Sequence, residues 1–407
     1  MRSCAGSKRR RFGRRAAGPL IAAAMVASLG GCGSSSSGSS SGGTKGPIKI
    51  GAAIGVTGSM QPYDYEAYTT AEMAADDINA AGGIDGRKIQ FVLTDMKSDP
   101  TLGPAAATQA ISKGAQVMLV SCDFDMGSPA ALTAQSKGEV ALSLCAGAPE
   151  FGRLGPLTFS VGPGTPDSAA AVAQWAWSTK KWRKVYVLED TSNEWARTYA
   201  GYFQEVWKHF GGTVVGKDTF SATDTTLSSQ ITRFKSLSQK ADFIISATYP
   251  PQGPTMLRQF RAAGINTPIV SDSGMDGTFW TKAVPHLSNF YLGTFASIYG
   301  DDANALINRL VTGYKAKYHS APLTSYFVNG YGDMELLADA IKEAGSTQGT
   351  KLAAVLQNFD GQVPALGRIQ FTPKWHIALS RPWTIIQFQN GKPSFAARVS
   401  PSWVPSP

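Results

Sequence analysis

Three blocks near the start of the chain decide its fold: IKIGAAIGVTG at Ile48–Gly58, INAAGGIDGR at Ile78–Arg87 and DMKSDP at Asp95–Pro100. The first block opens with a β-rich run, Ile48–Ile54, that is typical of a strand. Helical spacing follows, and the Gly-Gly pair of the second block is expected to end that helix. Another β-rich run, Lys88–Thr94, comes next. This strand–helix–strand order predicts a parallel sheet covered by helices.

The same alternation continues along the chain in two sets. The first set is completed by Val117–Ser121, Val140–Leu144 and Thr158–Val161. After a Gly-Pro-Gly break at residues 162–164 a second set follows, with candidate strands Lys184–Glu189, Thr213–Phe220, Asp242–Thr248, Pro268–Ser271 and Phe290–Phe295. Two sets predict two α/β lobes. Ligands of open parallel sheets bind beyond the carboxyl ends of the strands, so the loops there are the candidate site.

The charge of the chain is concentrated at its beginning. The 407 residues carry a formal net charge of +9, with 43% hydrophobic and 16% charged residues, which excludes a disordered chain. Seven basic residues and no acid lie in residues 1–31, so the remainder is close to neutral: Arg2, Lys8, Arg9, Arg10, Arg11, Arg14 and Arg15. The charge therefore gives no argument for a nucleic-acid partner.

Residues 1–31 have the features of a lipoprotein signal peptide. A basic stretch, Lys8–Arg15, precedes an apolar run, Ala16–Leu29, that is too short to span a membrane. Leu29-Gly30-Gly31-Cys32 resembles a bacterial lipobox, so we expect signal cleavage and lipidation of Cys32. The Arg-Arg-Arg-Phe run matches only part of a twin-arginine motif, which leaves the export route open between Sec and twin-arginine.

A flexible linker is expected after the lipidated cysteine. Residues 32–46 are mostly Gly and Ser, which bury nothing and form a coil. No later apolar stretch reaches the roughly 18–20 residues that a spanning helix needs. We therefore predict a protein held at the extracytoplasmic face of the membrane, in the cell envelope, through its lipid anchor alone.

Two cysteines remain after the signal peptide and the lipidation site are set aside. Cys122 and Cys145 each follow an apolar run. In an oxidising compartment they can form a disulfide. The alternative is a pair of buried free thiols lining one cleft.

Signatures of catalysis are missing from the sequence. It contains no G-x-S-x-G elbow between a candidate strand and a helix, since its G-x-S-x-G match at Gly38–Gly42 lies in a Gly/Ser-rich stretch, and it contains no phosphate-binding glycine loop and no H-E-x-x-H motif. The four histidines are scattered without metal-ligand spacing: His209, His286, His319 and His376. We predict a protein that is not an enzyme and that uses no cofactor and no metal.

The three opening blocks, together with LRQFRAAG at Leu257–Gly264 and GRIQF at Gly367–Phe371, resemble the leucine/isoleucine/valine-binding protein family. The resemblance extends over about Ile48–Lys392. It implies the two-lobed type I periplasmic-binding-protein fold of ABC importers, whose chain crosses the hinge three times and whose lobes close on a ligand.

The resemblance also implies the extent of each lobe. Lobe 1 is expected to comprise residues 48–161 and 294–371, and lobe 2 residues 162–293 and 372–407. The crossings should fall near Val161–Pro166, Gly293–Ala296 and Phe371–Ala378.

Positions that contact the amino acid in relatives differ in this chain. The resemblance implies that two lobe 1 loops hold the ligand carboxylate and ammonium, and here they read Asp123-Phe124-Asp125 and Cys145-Ala146-Gly147. Gly147 stands where relatives have a threonine. A glutamate of lobe 2 that faces the ammonium is replaced within Asp272-Ser273-Gly274 by Ser273. These changes predict that leucine, isoleucine and valine are poor ligands.

Aromatic and acidic residues take the place of those contacts. The family's Tyr-Gly loop of lobe 2 is replaced by a stretch with Glu194 and Trp195, while Tyr63 and Tyr249 keep two aromatic positions. Such a cleft suits a cationic, amide-bearing or hydroxylated ligand with an apolar or ring portion. The alternative for the acids is that some of them point away from the cleft and cap helices.

The sequence therefore predicts a solute-binding lipoprotein, most simply a monomer. Its partners would be a small-molecule ligand and the permease subunits of an ABC transporter. The alternative is a ligand sensor of the same fold that signals to a membrane or regulatory partner. A tethered hydrolase would need a nucleophile–base pair that the sequence lacks.

Overall fold

The computed structural model describes residues 46–379 and 381–406. The predicted signal peptide, the lipidation site Cys32 and all of the linker except Gly46 lie outside the described residues. In the described part of the chain no helix is both long and apolar enough to cross a membrane.

The first sheet has eight strands within the described residues, in the order β11-β12-β13-β5-β4-β3-β1-β2. Its strands are β1 (Ile48–Ile54), β2 (Ile89–Asp95), β3 (Val117–Val120), β4 (Val140–Ser143), β5 (Thr158–Pro163), β11 (Asp360–Val363), β12 (Gly367–Thr372) and β13 (Trp375–Leu379). The helices associated with this lobe are α1 (Gln61–Ala80), α2 (Gly103–Ser112), α3 (Phe124–Ser136), α8 (Ala305–Tyr318), α9 (Phe327–Ala344) and α10 (Gly349–Leu356). All pairs are parallel except β11–β12 and β12–β13.

The second sheet orders seven described strands as β15-β14-β10-β9-β8-β6-β7. They are β6 (Lys184–Asp190), β7 (Thr213–Phe220), β8 (Phe243–Ile245), β9 (Ile269–Ser271), β10 (Phe290–Thr294), β14 (Trp383–Gln389) and β15 (Lys392–Val399). Its helices are α4 (Thr165–Ser178), α5 (Glu194–His209), α6 (Ser228–Lys235) and α7 (Gln252–Ala262). Only the pairs made by β14 are antiparallel.

Small residues let the helices of lobe 1 pack closely. A Cβ atom on Gly330 of α9 would lie 1.6 Å from the carbonyl oxygen of Ala67 on α1. Only glycine permits that approach, which brings the backbones of the two helices together. The alanines that recur at helical spacing along α1 are buried in the core of this lobe: Ala67, Ala71, Ala74 and Ala75.

The described chain passes between the sheets three times, after β5, β10 and β13. The boundary predicted at residues 371–372 is wrong, because Trp375–Leu379 belongs to the first sheet and pairs there with β5. A tight turn after Thr372 makes β12 and β13 a hairpin, and the apolar return strand is largely buried against β5. The third crossing therefore falls between Leu379 and Trp383.

Candidate functional site

Loops at the carboxyl ends of strands from both sheets face one another across a cleft. The Tyr63 hydroxyl on α1 donates a hydrogen bond to the Gly274 carbonyl oxygen of lobe 2 at 2.7 Å. The backbone N–H of Glu194 at the start of α5 donates to the Asp125 carboxylate of lobe 1 at 3.0 Å. These two bonds join the lobes directly, so the structure has a closed cleft.

An aromatic cluster fills the centre of the cleft and contains three predicted residues. The ring of Tyr249 lies 5.4 Å from that of Tyr63 and 5.0 Å from that of Trp195, measured between centroids. Tyr326, which precedes α9, adds a fourth ring 4.9 Å from Tyr63. Sequence reasoning missed Tyr326, because the family resemblance singled out no position near it.

Two glycines make room for the Trp195 indole. A Cβ atom on Gly147 would lie 3.2 Å from Cδ1 of Trp195, and one on Gly274 would lie 3.1 Å from its Cη2. The indole therefore spans the cleft with one end against each glycine, and only 6% of Trp195 is exposed. Because contacts at 3.0–3.4 Å are tighter than usual for a Cβ, any larger side chain at these positions would displace the ring.

A disulfide and a buried carboxylate brace the lobe 1 side of the cleft. Cys122 and Cys145 are disulfide-bonded, which joins the loops after β3 and β4. Asp64 of α1 accepts hydrogen bonds from the backbone N–H of Cys122 at 2.8 Å and of Gly55 at 2.9 Å. Burial raises the pKa of Asp64 to about 6. Sequence reasoning missed Asp64. What could have indicated it is an acidic residue at a position of α1 that the helical spacing buries.

Asp123 caps a helix, which was the alternative considered for the acids. Its carboxylate accepts from the backbone N–H groups of Asp125 at 2.9 Å and Met126 at 3.2 Å, at the N-terminus of α3. Burial, together with the neighbouring charge of Asp125, raises the pKa of Asp123 to about 7. Phe124 is half-buried and packs against the alanine- and methionine-rich core of lobe 1.

The acids of lobe 2 have different environments. The Glu194 carboxylate forms an ion pair with Arg197 at 2.8 Å on a partly exposed surface. Asp272 is buried, and its carboxylate accepts from the Trp383 indole N–H at 3.2 Å. Burial raises the pKa of Asp272 to about 7. The next residue, Ser273, is also buried.

The remaining predicted loop, Cys145-Ala146-Gly147, is held by hydroxyl groups. Ala146 receives a hydrogen bond on its carbonyl oxygen from Ser160 at 2.7 Å, and its N–H donates to Ser143 at 2.9 Å. The Gly147 carbonyl oxygen accepts from the backbone N–H of Thr165 at 2.8 Å, where the chain enters lobe 2. Within the described residues no group of three or more His, Cys, Asp or Glu side chains could hold a metal ion.

A further acid, Asp276, ties the lobes together next to the second crossing. Its carboxylate accepts from the backbone N–H of Ser325 in lobe 1 at 2.5 Å and from that of Gly277 at 2.7 Å. The sequence assigned no role to Asp276, although it lies in the loop after β9, at the carboxyl end of a strand where the site was expected.

Comparisons with known proteins agree on one family. The model of the family described as periplasmic binding protein matches residues 47–393. A Leu/Ile/Val-binding protein from Rhizobium johnstonii is 23% identical over 349 residues, which cover 85% of this chain and 92% of the relative. An Escherichia coli Leu/Ile/Val-binding protein is 27% identical over 229 residues, or 56% of this chain and 62% of the relative.

Solved structures show the same fold. A branched-chain amino acid transporter substrate-binding protein from Streptococcus pneumoniae, in complex with isoleucine, superposes with a TM-score of 0.75 at 24% identity, covering 87% of this chain and 99% of the other. A solute-binding protein of an ABC transporter from Rhodopseudomonas palustris, in complex with 3,4-dihydroxybenzoic acid, gives 0.72 at 18% identity, with 88% and 99% covered.

Proposed function

Because the chain belongs to the periplasmic binding protein family, we propose that it is the solute-binding component of an ABC importer. In this proposal Cys32 carries a lipid that holds the protein at the extracytoplasmic face of the membrane. The two lobes capture a small molecule and present it to permease subunits, and the protein acts as a monomer without catalysing a reaction.

The observation that carries this proposal is the closed cleft. Side chains from both lobes meet there, as the Tyr63–Gly274 hydrogen bond and the Tyr249–Trp195 ring contact illustrate. A ligand enclosed between such surfaces is removed from water, so a few polar contacts and stacked rings suffice for tight binding. The same residues would separate when the lobes open to release it.

The proposed ligand is not an α-amino acid. At the loop that holds the ligand carboxylate in relatives, the Asp123 carboxylate already occupies the N–H groups at the start of α3. A second carboxylate there would find those N–H groups taken and would meet the like charge of the neighbouring Asp125. At the threonine position of relatives, Gly147 contacts the Trp195 indole instead of offering a hydroxyl. Both replacements remove partners that a zwitterion needs, at a cost of about 2–5 kcal/mol for each charge left unpaired.

The residues of the cleft favour a ligand with a ring and a cationic or hydrogen-bond-donating group. Tyr63, Tyr249, Trp195 and Tyr326 offer ring faces and edges for stacking and cation–π contacts. The buried Asp272 carboxylate lies beside them and suits a donor. The Rhodopseudomonas palustris neighbour binds an aromatic acid, which supports a ring-bearing ligand. The acidic residues of this cleft, however, disfavour a ligand that carries a carboxylate.

A thermal-shift screen tests the proposed function. The purified protein is heated with aromatic amines, amides, phenols, the corresponding carboxylic acids and aliphatic α-amino acids. A ligand present at about 100 times its Kd adds about 2.7 kcal/mol of stability, which is readily seen as a rise in Tm. We expect a hit among amines, amides or phenols. Stabilisation confined to aliphatic α-amino acids would contradict the proposal.

A further inference from the structure

Arg381 lies where the three passages between the lobes come together. It stands between β13 and β14, on the third crossing. Its guanidinium donates to the carbonyl oxygen of Val161, in the strand that leads into the first crossing, at 3.0 Å. The same group lies 5.0 Å from the ring centroid of Phe295, which directly follows β10 at the second crossing. One side chain, only 1% exposed, therefore contacts all three crossings.

The charged partner of Arg381 is Asp333 on α9, but the two groups do not touch. Asp333 is fully buried, and the Arg381 charge is the cation that lowers its pKa against the large rise caused by burial. The described ion pairs, defined by a nitrogen–oxygen distance of at most 4.0 Å, do not include these two residues. The carboxylate oxygens of Asp333 therefore lie more than 4.0 Å from the guanidinium nitrogens of Arg381.

Several buried polar atoms of these two residues and of Asn329 have no hydrogen-bond partner in the described protein. They are both carboxylate oxygens of Asp333, both side-chain amide atoms of Asn329 and Nε of Arg381. Asn329 and Asp333 are four residues apart on α9 and so lie on one face of the helix. Buried polar groups in native proteins are almost always satisfied by protein or by ordered water.

We propose that ordered water molecules occupy the space between Asn329, Asp333 and Arg381 and form a hydrated site at the hinge. A buried water molecule makes about three hydrogen bonds to groups that would otherwise be unsatisfied, and this cluster offers donors and acceptors of both kinds. Water would accept from Arg381 Nε and from the Asn329 amide nitrogen, and donate to the Asp333 carboxylate. The site would link α9 of lobe 1 to the crossings.

Water suits this position because the crossings must twist when the lobes rotate. A direct ion pair holds its two groups at one distance and in one orientation. Water molecules between the two charges can shift with the crossings and re-form their hydrogen bonds, so that neither buried charge is left without a partner. The proposed water site is a feature of the hinge, so it does not depend on which solute the protein binds.

A crystal structure of the protein at a resolution that reveals water tests the proposal. We expect at least one water within 3.2 Å of a carboxylate oxygen of Asp333 that also contacts Arg381 Nε or the Asn329 amide, directly or through a second water. The absence of any such water molecule would overturn the proposal, and so would a direct Asp333–Arg381 ion pair. Failure to find any solute would leave this test unaffected.

A matched pair of variants distinguishes the loss of the bound water from a general effect of substitutions in α9. Asn329→Leu keeps the size of the side chain but removes its polar atoms, and it should displace the water bound to the amide. Asp339→Asn changes an exposed residue of the same helix and should leave the water in place. Identical water positions in the wild-type protein and the Asn329→Leu variant would contradict the role of Asn329. If that variant does not fold, the structure of the unmodified protein still decides.

Discussion

A Cβ atom on Gly147 would lie 3.2 Å from Cδ1 of Trp195. The two residues come from different lobes, and the family resemblance implies that both stand at positions where relatives contact the ligand. The loss of the side chain at position 147 is what allows the indole of Trp195 to enter the cleft. We therefore treat the two replacements as a coupled change.

Gly147→Thr tests that coupling. The added side chain crowds the indole, and overpacking of this kind costs about 1–3 kcal/mol, so we expect a lower Tm. Trp195→Ala in the Gly147→Thr background should recover part of that loss, because the indole is no longer present to be displaced. A double variant whose loss equals the sum of the single losses would show that the two sites are independent.

Gly313→Ala provides a control for the glycine substitution. Gly313 lies within α8, and a Cβ atom there would meet only the end of the Met73 side chain, at 3.7 Å. Replacing a helical glycine by alanine stabilises by roughly 0.5–1 kcal/mol, so the control should raise the Tm slightly.

Reduction of the Cys122–Cys145 disulfide should destabilise lobe 1. The bridge closes a loop with a sequence separation of 23 residues, for which the loss of chain entropy predicts about 3 kcal/mol. We expect a lower Tm in reductant and an intact mass that rises by two hydrogen atoms. The Cys122→Ser/Cys145→Ser double variant should have the lower Tm with and without reductant. If the Tm of the unmodified protein is the same with and without reductant, the prediction is contradicted.

The pH dependence of stability should reveal Asp123. Burial raises the pKa of this carboxyl from 3.8 to about 7 in the folded protein, so the folded state binds the proton more tightly than the unfolded state does. The resulting stabilisation is complete below about pH 4 and is lost as the pH rises through about 7. Asp123→Asn, which keeps a good N-cap, should flatten the fall in stability over this window.

Denaturant unfolding at pH 4 to 8 measures that slope. Asp85→Asn serves as the control, since Asp85 is exposed and its replacement should leave the profile unchanged. An Asp123→Asn profile as steep as that of the unmodified protein would assign the pH dependence to other buried acids, such as Asp64 and Asp272.

Cys32→Ser should release the protein from the membrane. A single residue carrying two or more acyl chains gives a stable anchor, so the loss of the thiol should move most of the protein from the membrane fraction to the soluble fraction. Cys4→Ser, within the predicted signal peptide, should leave the distribution unchanged. Membrane association of the Cys32→Ser variant would contradict the proposed lipidation.

The α/β alternation of residues 48–295 could be predicted from the sequence, because parallel strands in buried sheets are short apolar runs separated by helices. β2 and β6 each lie within one residue of the predicted bounds. The last strands followed no such rule. Trp375–Leu379 includes a buried histidine and is joined to β12 by a hairpin instead of a helix, so the third crossing was placed too early.

Prediction of the site had a similar limit. Tyr63, Trp195 and Tyr249 were found because each follows a strand or matches a family position, and the structure brings their rings together. Asp64 and Tyr326 match no position that the family resemblance singled out, and only the tertiary fold shows that they face the cleft. The direction of an acid's side chain was also undetermined by sequence: Asp123 turns to its own helix, whereas Asp125 reaches the other lobe.

Isothermal titration with leucine tests the central claim most directly. If Asp123 and Trp195 have replaced the contacts of an α-amino acid, titration of leucine into the purified protein should give no binding heat at micromolar concentrations. Isoleucine and valine should behave in the same way. Leucine binding with a low-micromolar Kd would contradict the account, since it would require a zwitterion to be held by a cleft in which those contacts are absent.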